Sequence, residues 1–408
     1  MNLFQSMYCR TYQGILRFAM HFIKIRIPET HSSLMDVPEI IKANKLCHPI
    51  IVSGKHVSKK ARVLSLLSKL KEDNIPYSLY TDIGSDPTFS EIRSLYDFYK
   101  DEGCDSIIAI GGGSIIDASK ALGCKIVKPN KNLSYFKGLL KVGQRLPFFI
   151  AIPTTAGTGS EATLASVITN ESNGDKFAIN DPNLVPNVCV LDSSLLDSLP
   201  QKVIAETGMD ALCHAIEAYI GKSNTKLTRE YALKSISLIH DNLFSFYICS
   251  GNDVIRQNML DASYYAGISF TRAYVGYVHA LAHAIGGMYH LPHGYCIAIL
   301  LPHVLRAYKT SISKPFAEIN DSLHLSNPNA IDEEKMIAMI HWINGLRDSL
   351  KIPSTFQEKI RKEDYTKLAK HANKEANPLY PVPKLFSRKK LEEIIRTANG
   401  DTSEVDEK

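Results

Sequence analysis

Short β-rich runs alternate with amphipathic helical stretches as far as about residue 198, and this alternation constrains the fold most. Five runs have the composition of strands: "HPIIVSG", "IPYSLYTDIG", "CDSIIAIGGG", "LPFFIAIPTT" and "NVCVLD". Helical stretches such as "VSKKARVLSLLSKLKED" separate the early strands. The pattern predicts right-handed βαβ crossovers and a parallel sheet that is covered on both faces. The runs "SVITN" and "KFAIN", with polar "ESNGD" between them, predict a hairpin that is added to the same sheet.

The rhythm changes after Pro200, where the strand-like runs stop. Apolar residues then recur at steps of three and four, which is the spacing of a buried helical stripe. One such stripe consists of Ala232, Ile236, Ile239, Leu243 and Phe246. We therefore predict an N-terminal extension over 1–34, an α/β domain over 35–199, an all-helical domain over 200–400 and a frayed polar tail over 401–408.

The composition excludes several classes of protein. A chain of 408 residues with 45% hydrophobic content is globular. A net charge of +5 without a basic block gives no sign of nucleic-acid binding, so the expected partners are small molecules. Eight cysteines without a CxxC pair are typical of reduced thiols in a cytoplasmic protein.

The first 28 residues contain no Asp or Glu, and apolar and basic residues alternate within "YQGILRFAMHFIKIRIP". A transit peptide or a membrane-surface helix would have this composition. The preferred interpretation is an extra element that packs on the body of the protein. Charges interrupt every apolar run well short of the roughly 18 residues that span a bilayer, so no membrane segment is expected.

Three consecutive glycines, Gly111, Gly112 and Gly113, follow a predicted strand and precede a predicted helix. Ligands of open parallel sheets bind at such strand ends. Glycine lets the backbone come close to a ligand, and the N-terminus of the next helix offers N–H groups to a phosphate. Ser114 and Asp117 fit a capping box, so Asp117 has two alternative roles, a helix cap or a cofactor contact.

A second turn of this kind, "PTTAGTGSE", follows another strand candidate. Thr154, Thr155 and Thr158 supply hydroxyl groups there, and Gly157 and Gly159 supply room. Two such turns at one edge of a sheet suit a dinucleotide, because its pyrophosphate needs hydrogen-bond donors from more than one side. Neither turn matches the GxGxxG or P-loop motif.

Histidines are concentrated in the second half of the chain. Five of the 14 lie within residues 278–303, and they are His279, His283, His290, His293 and His303. In a separate segment Asp210 and His214 are four residues apart, which places both on one face of a helix. His279 and His293 would lie roughly 21 Å apart on a straight helix at ~1.5 Å per residue, but a Gly–Gly pair and Pro292 interrupt that helix. The spacing alone does not say which histidines are ligands.

This set of carboxylate and imidazole groups predicts a metal site. Oxygen and nitrogen ligands without a thiolate pair suit Fe²⁺ or Zn²⁺, and two or three histidines with one carboxylate fit iron well. The sequence has no HExxH motif, so the glutamate base of a zinc protease is missing.

Four separated motifs resemble those of the iron-containing (group III) alcohol dehydrogenase family. They are "GGGSIIDASKALG", "PTTAGTGSE", "GMDALCHAIEAY" and "HALAHAIGGMYHLPHG", in the family's order, and the resemblance extends over about residues 35–400. It implies a Rossmann-like dinucleotide-binding domain and a C-terminal helical metal-binding domain, in a dehydroquinate synthase-like fold. It also implies an active site in the cleft between the domains, and a homodimer.

The resemblance also assigns roles to residues. The implied metal ligands are Asp210, His214, His279 and His293. The implied cofactor contacts are Gly111, Gly112, Gly113, Ser114, Thr154, Thr155, Thr158 and Lys176. His283 matches a histidine near the nicotinamide that is not a ligand, and it is the candidate proton relay.

One departure from the family concerns the choice of cofactor. The family commonly has an acidic residue after the first strand, which binds the adenosine ribose hydroxyls and repels a 2′-phosphate. Here Ser53 and Gly54 occupy that place, and Lys55 is nearby. We therefore predict that these two residues lie beside the ribose and that NADP is tolerated or preferred over NAD. Asp86 would partly oppose this preference.

The predicted function is reversible oxidation of a small alcohol to an aldehyde, with hydride transfer to NAD(P) and a metal ion that polarises the substrate oxygen. Two alternatives keep the fold. One is a zinc-dependent enzyme like glycerol dehydrogenase or dehydroquinate synthase, although the motifs contain no additional basic cluster for a phosphate-bearing substrate. The other is a non-catalytic binding protein, against which the four filled metal positions argue.

Overall fold

The computed structural model describes residues 3–249 and 252–401. The chain divides into two units. The sheet unit contains Lys24–Leu199 and Ser250–Thr271, and the helical unit contains Met1–Ile23, Pro200–Cys249 and Arg272–Lys408. Each unit therefore draws on segments that are far apart in the sequence.

The described residues form nine strands and fourteen α-helices. The strands are β1 (Glu29–His31), β2 (Pro49–Ser53), β3 (Ser78–Tyr80), β4 (Ser106–Gly111), β5 (Gly138–Leu139), β6 (Phe149–Pro153), β7 (Ala165–Asn170), β8 (Asp175–Asn180) and β9 (Val188–Val190). The helices are α1 (Leu3–Phe22), α2 (Val37–Ala43), α3 (Ala61–Glu72), α4 (Phe89–Asp101), α5 (Gly113–Val127), α6 (Gln201–Ile220), α7 (Lys226–Ile248), α8 (Asp253–Ala273), α9 (Tyr277–Tyr289), α10 (His293–Tyr308), α11 (Ser313–Leu323), α12 (Asp332–Ser349), α13 (Tyr365–Ala376) and α14 (Arg388–Asn399).

The main sheet has six strands in the order β1-β9-β6-β4-β2-β3, and every neighbouring pair is parallel. Its central strands β2, β4 and β6 are buried along their whole length. Strands that are buried on both faces are continuous apolar runs, as in "PIIVS" and "SIIAIG". The five strands and the parallel sheet predicted from the sequence are confirmed.

The predicted hairpin is formed by β7 and β8, which pair antiparallel. The prediction that it extends the main sheet is wrong, because it forms a separate three-stranded sheet in the order β5-β8-β7. The inward residues Ile168, Phe177 and Ile179 pack in one apolar cluster with Phe89 and Phe136. Burial of this face therefore places the hairpin on the helices of the unit instead of at a strand edge.

Helix α8 groups with the sheet unit, although its sequence lies within the predicted all-helical domain. Gly267 on α8 meets Gly159, and a Cβ added at Gly159 would lie 2.7 Å from the Gly267 Cα. Gly159 also has φ +58°, a backbone conformation that suits glycine. Two small residues therefore allow a close approach that apolar periodicity does not reveal.

The helical unit begins with α1 and continues from Pro200. Along α7 the predicted stripe is buried, and it consists of Ala232, Ile236, Ile239, Leu243 and Phe246. Helix α1 is attached through side chains on one face, because Arg10 donates to the Val382 carbonyl (2.8 Å) and Gln13 donates to the Tyr380 carbonyl (2.7 Å). The described end of the chain, Asp401, is buried. The predicted tail beyond it lies outside the described residues.

Part of the segment before residue 35 already belongs to the main sheet, since β1 pairs in parallel with β9. Residues 29–31 thus add an edge strand to the main sheet. Among the described residues, no helix combines the length and the apolar character needed to cross a membrane.

Candidate functional site

Three helices of the helical unit carry the predicted metal ligands. Asp210 and His214 lie one turn apart on α6, His279 lies in the first turn of α9, and His293 begins α10. The chain reverses between the last two helices, where His290 has a left-handed backbone (φ +52°) and Pro292 precedes α10. Proline is favoured immediately before or in the first turn of a helix because its missing N–H is not needed there. The interruption seen in the sequence therefore returns His293 to His279.

The Asp210 carboxylate is the centre of this group. Its Oδ1 atom lies 3.6 Å from His279 Nε2 and 3.5 Å from His293 Nε2, which is too long for a good hydrogen bond. Two ligands of one ion with bonds of about 2.1 Å are spaced by about 3.4 Å at tetrahedral angles. Among the described residues, buried Oδ1 of Asp210 and Nε2 of His279 have no hydrogen-bond partner. The spacing and the two unsatisfied atoms fit a metal ion.

His214 lies beside the other three residues and does not complete the tightest group. Asp210, His279 and His293 each offer a ligand atom, and these atoms lie within 4.8 Å of one another. His214 Nδ1 is 3.8 Å from Asp210 Oδ1, and its ring stacks on that of His279 at 4.4 Å between centroids. All four predicted ligands are thus neighbours, and three of them converge most closely.

The electrostatics of this group favour an ionised carboxylate. Burial acts to raise the pKa of Asp210, but the neighbouring His214 and His293 imidazoles hold that pKa well below its ordinary value. An ionised carboxylate is the form that binds a cation.

His283, the predicted proton relay, lies one turn after His279 on α9. Its Nδ1 atom is 2.7 Å from Glu375 Oε1, which also accepts a hydrogen bond of 2.8 Å from the Tyr380 hydroxyl. The His283 ring stacks on the His293 ring at 5.0 Å between centroids. The structure therefore places His283 beside a predicted ligand, with one nitrogen held by a carboxylate.

The two glycine-containing turns lie together in the sheet unit. Strand β4 ends at Gly111, and α5 begins at Gly113. The Thr154 N–H donates to the Gly111 carbonyl at 3.1 Å, and a Cβ added at Gly113 would lie 2.9 Å from Thr158 Oγ1. Thr155 Oγ1 would likewise lie 3.4 Å from a Cβ at Gly112. A side chain at Gly113 would collide with the second turn, so packing alone requires glycine there.

The predicted capping box of Ser114 and Asp117 is wrong. Helix α5 has Gly112 as its N-cap and no side-chain cap, and the Ser114 hydroxyl donates to the Ser85 carbonyl. Asp117 accepts hydrogen bonds from the Ser160 hydroxyl (2.6 Å) and the Val167 N–H (3.0 Å). Asp117 therefore links α5 to the second turn and to β7. A direct cofactor contact of Asp117 stays a prediction.

Two other predicted cofactor residues have partners within the sheet unit. Ser53 is fully buried, and its hydroxyl donates to the Ile110 carbonyl at 2.9 Å, so the hydroxyl joins β2 to β4 and is not exposed to a cofactor. The Lys176 ammonium group is 2.5 Å from Asp86 Oδ1 at the surface. The Asp86 carboxylate thus neutralises the positive charge of Lys176.

Sequence reasoning missed three residues that support these sites. Glu375 holds His283, and Glu217 is 2.7 Å from His279 Nδ1. Lys120 is fully buried, and its ammonium group donates to the Ser160 carbonyl of the second turn at 2.6 Å. Two signals were available. Lys120 interrupts the apolar face of α5, and Glu217 follows Asp210 by seven residues, which is two helical turns.

Family models match both halves of the chain. The model described as iron-containing alcohol dehydrogenase matches residues 26–193, and the model described as Fe-containing alcohol dehydrogenase family, C-terminal, matches residues 204–399. The chain belongs to the iron-containing alcohol dehydrogenase family.

Relatives of this family resemble the chain over most of its length. Alcohol dehydrogenase 4 of Saccharomyces cerevisiae is 34% identical over 370 residues, which are 90% of this chain and 94% of the yeast protein. NADPH-dependent butanol dehydrogenase of Clostridium saccharobutylicum is 33% identical over 311 residues, 76% of this chain and 79% of that protein. The crystal structure of a 1,3-propanediol oxidoreductase superposes with a TM-score of 0.88 at 30% identity and covers 92% of this chain and 100% of its own.

These findings confirm the predicted fold class, a Rossmann-like α/β part followed by a helical part. They also confirm the main functional prediction. The protein is an oxidoreductase of the alcohol dehydrogenase class within the iron-containing family.

Proposed function

We infer that the protein is a metal-dependent, NADP-accepting dehydrogenase that interconverts a small primary alcohol and its aldehyde. The observation that carries this proposal is the convergence of Asp210 Oδ1, His279 Nε2 and His293 Nε2 in one group. The neighbouring His214 is the fourth proposed ligand. The site belongs to a chain whose relatives are alcohol dehydrogenases.

The donor set supports Fe²⁺ or Zn²⁺ as the metal. One carboxylate and up to three imidazoles match the ligand preferences of both ions, and iron accepts this mixture readily. A divalent cation held by these residues supplies Lewis acidity, which lowers the pKa of a substrate hydroxyl group. Asp210 supplies negative charge, and the histidines supply neutral donors.

His283 is the proposed proton relay. Glu375 binds its Nδ1–H, so the neutral ring keeps an acceptor at Nε2 that can receive a proton from the substrate hydroxyl through water. Glu375 also stabilises the imidazolium that this transfer forms. His283 therefore combines an acceptor nitrogen with a fixed ring orientation.

The dinucleotide is proposed to bind at the turns that follow β4 and β6. The N–H groups at the start of α5 and the hydroxyl groups of Thr155 and Thr158 are suitable donors to a pyrophosphate. The same pyrophosphate would compete with Asp86 for the Lys176 ammonium group. A bound nicotinamide supplies the two-electron chemistry by accepting hydride from the alcohol carbon.

The proposed preference for NADP rests on Gly54 at the end of β2. No carboxylate occupies this position, so a 2′-phosphate meets no like charge there. Lys55 is exposed and forms an ion pair of 2.9 Å with Asp82. A bound 2′-phosphate would compete with Asp82 for Lys55. We therefore expect the charge at residue 54 to affect the choice between NADP and NAD more than Lys55 does.

We further propose a homodimer in the cytoplasm. All eight cysteines are free, which is expected in a reducing compartment. Light scattering of the purified protein at several concentrations tests the dimer, and a mass equal to one chain at all of them contradicts it.

Metal reconstitution tests the function. The purified protein is stripped of metal, loaded separately with Fe²⁺ or Zn²⁺, and assayed by NADPH and NADH absorbance with a panel of short aldehydes. We expect activity only after metal loading, and at least as much with NADPH as with NADH. The Asp210→Asn variant is the matched control, because it keeps the shape of the side chain and removes its charge. Equal activity of the stripped and loaded protein would contradict the metal role.

A further inference from the structure

A second buried carboxylate stands behind the proposed metal ligands. Glu217 lies on α6 and is only 4% exposed. Asp210, His214 and Glu217 are spaced by four and three residues, so they share one face of this helix. A buried carboxylate is costly unless hydrogen bonds or charges compensate it, so its partners reveal its role.

Three nitrogen atoms surround the Glu217 carboxylate, and all belong to the start of α9. The Gly276 N–H donates to Oε2 at 2.7 Å, and the Val278 N–H donates to Oε1 at 2.9 Å. The third partner is His279 Nδ1, 2.7 Å from Oε2. One side chain therefore caps the first turn of α9 and holds the imidazole in that turn.

Gly276 makes this approach feasible. A Cβ added at Gly276 would lie 2.5 Å from Glu217 Oε1, which real Cβ atoms do not tolerate. Gly276 is the N-cap residue of α9, and it has no side chain that could accept from the N–H groups of the first turn. Glycine at this position thus allows the carboxylate to reach the unpaired N–H groups of the helix end.

The group formed by Cys213, Glu217 and His279 also brings three ligand-type atoms together, but its geometry is that of hydrogen bonds. The 2.7 Å separation between Glu217 Oε2 and His279 Nδ1 is shorter than the roughly 3 Å between two ligands of one ion at right angles. Burial raises the pKa of Cys213 to about 12, which disfavours its thiolate form.

We propose that Glu217 is a positioning residue that fixes the tautomer and the orientation of His279. Its carboxylate accepts the Nδ1–H of His279, which leaves the lone pair on Nε2 and directs that atom toward Asp210 and His293. Carboxylates that accept the second N–H of a metal-binding histidine act in this way. The inference rests on the proposed function, because it takes His279 to be a ligand.

Metal affinity of the full-length protein tests this role without an activity assay. Zn²⁺ binding is measured by competition with a chelating dye for the wild type, Glu217→Gln and Glu318→Gln. The amide of Glu217→Gln cannot accept from all three N–H groups, so we expect binding that is about 10–100-fold weaker. Glu318→Gln is the matched control. Glu318 lies on α11 and accepts a hydrogen bond of 2.9 Å from the hydroxyl of Tyr219, which is near the end of α6. The affinity of this variant should equal that of the wild type.

The tautomer is measured directly in the Zn²⁺-loaded wild type, so the test does not depend on the variant folding. In a histidine-selective ¹⁵N spectrum, assigned with His279→Ala, we expect a proton on Nδ1 of His279 and a metal shift on Nε2. A proton on Nε2, or unchanged Zn²⁺ affinity in a folded Glu217→Gln, would overturn the positioning role. Failure of the proposed ligand set has a different signature, namely a wild type and a His279→Ala variant that bind Zn²⁺ equally.

Discussion

At the scale of single residues, Gly113 is a position where the two glycine-containing turns leave no room for a side chain. A Cβ there would lie 2.9 Å from both Cγ2 and Oγ1 of Thr158. We therefore expect Gly113→Ala to push the turns apart and to weaken NADPH binding by about tenfold or more, or roughly 1.4 kcal/mol. The measurement is a fluorescence titration of the purified protein with NADPH.

Gly345→Ala is the control for Gly113→Ala. Gly345 lies within α12, and a Cβ added there meets nothing within 4 Å. Alanine in a helix interior is more favourable than glycine, so this variant should keep its NADPH affinity and gain stability. If Gly113→Ala binds NADPH as tightly as Gly345→Ala does, the spacing of the two turns does not determine NADPH affinity.

A charge at residue 54 should change the choice of cofactor. A Cβ added at Gly54 has a single neighbour, Val57 Cγ2 at 4.0 Å, so a side chain fits. In Gly54→Asp the carboxylate would repel a 2′-phosphate, and we expect the dissociation constant for NADPH to rise by about tenfold or more. NADH binding should not weaken, because a carboxylate at this place can accept from the ribose hydroxyls. Titration with both nucleotides measures the ratio.

Gly54→Ala separates the effect of charge from that of size. It adds the same Cβ without a carboxylate, so its ratio of NADPH to NADH affinity should equal that of the wild type. A similar loss of NADPH binding in both variants would mean that the size of the side chain, and not its charge, weakens binding. Unchanged NADPH affinity in Gly54→Asp would mean that the 2′-phosphate is not near this residue.

The sequence could predict individual site residues only where the signal was local. The α-helical period placed Asp210 and His214 on one face, and Pro292 indicated the turn that returns His293. The roles of Glu217 and Glu375 depend on contacts to histidines 62 and 92 residues away in the chain. No local pattern contains such pairs. The same limit explains why the capping-box prediction was wrong, since Asp117 accepts a hydrogen bond from a hydroxyl group 43 residues further on.

At the scale of elements, α1 is held by polar contacts on one face. Buried Gln13 donates to the carbonyls of Pro378 (3.1 Å) and Tyr380 (2.7 Å). The Tyr380 hydroxyl in turn donates to Glu375, the partner of His283. Helix α1 therefore holds the segment around Tyr380, and this segment in turn holds Glu375, the partner of His283.

Removing the Gln13 amide should loosen that segment. Gln13→Ala leaves the Pro378 carbonyl without this donor, while the Tyr380 carbonyl keeps the Val382 N–H at 2.9 Å, and we expect a loss of about 1–3 kcal/mol in the free energy of unfolding. Urea unfolding measures the loss, and hydrogen exchange should become faster in residues 377–383. Thr11→Ala, an exposed substitution on the same helix, should leave both unchanged. Equal behaviour of the two variants would show that the amide does not anchor α1.

The elements themselves were largely predictable, and their partners were not. Apolar runs bounded by glycine or proline gave the strands of the main sheet, because burial on both faces leaves a continuous signal. The hairpin of β7 and β8 was visible from its polar turn, but nothing in its sequence says which surface it covers. Helix α8 has an ordinary helical pattern, and only its contacts with distant residues, such as that of Gly267 with Gly159 and the hydrogen bond from the Tyr264 hydroxyl to the Pro28 carbonyl, reveal the unit to which it belongs.

At the scale of the whole molecule, the two proposed ligand sites belong to different units. Asp210, His279 and His293 lie in the helical unit, whereas the turns at Gly111 and Thr154 lie in the sheet unit. A ligand stabilises the part of the native state that binds it, by about 2.7 kcal/mol when its concentration is 100 times the dissociation constant. Local opening of that part, and hence its hydrogen exchange, becomes rarer.

Metal and dinucleotide should therefore leave separate traces in hydrogen exchange followed by mass spectrometry. We expect Zn²⁺ to slow exchange in α6 and α9, and NADPH to slow exchange over residues 106–116 and 153–163. In Asp210→Asn the effect of Zn²⁺ should disappear while the effect of NADPH remains, since this carboxylate serves only the cation. Loss of the NADPH effect in that variant, or slowing by Zn²⁺ that is confined to the sheet unit, would contradict the assignment of the two sites. Because each ligand is added alone, the result does not depend on turnover and tests binding by each unit directly.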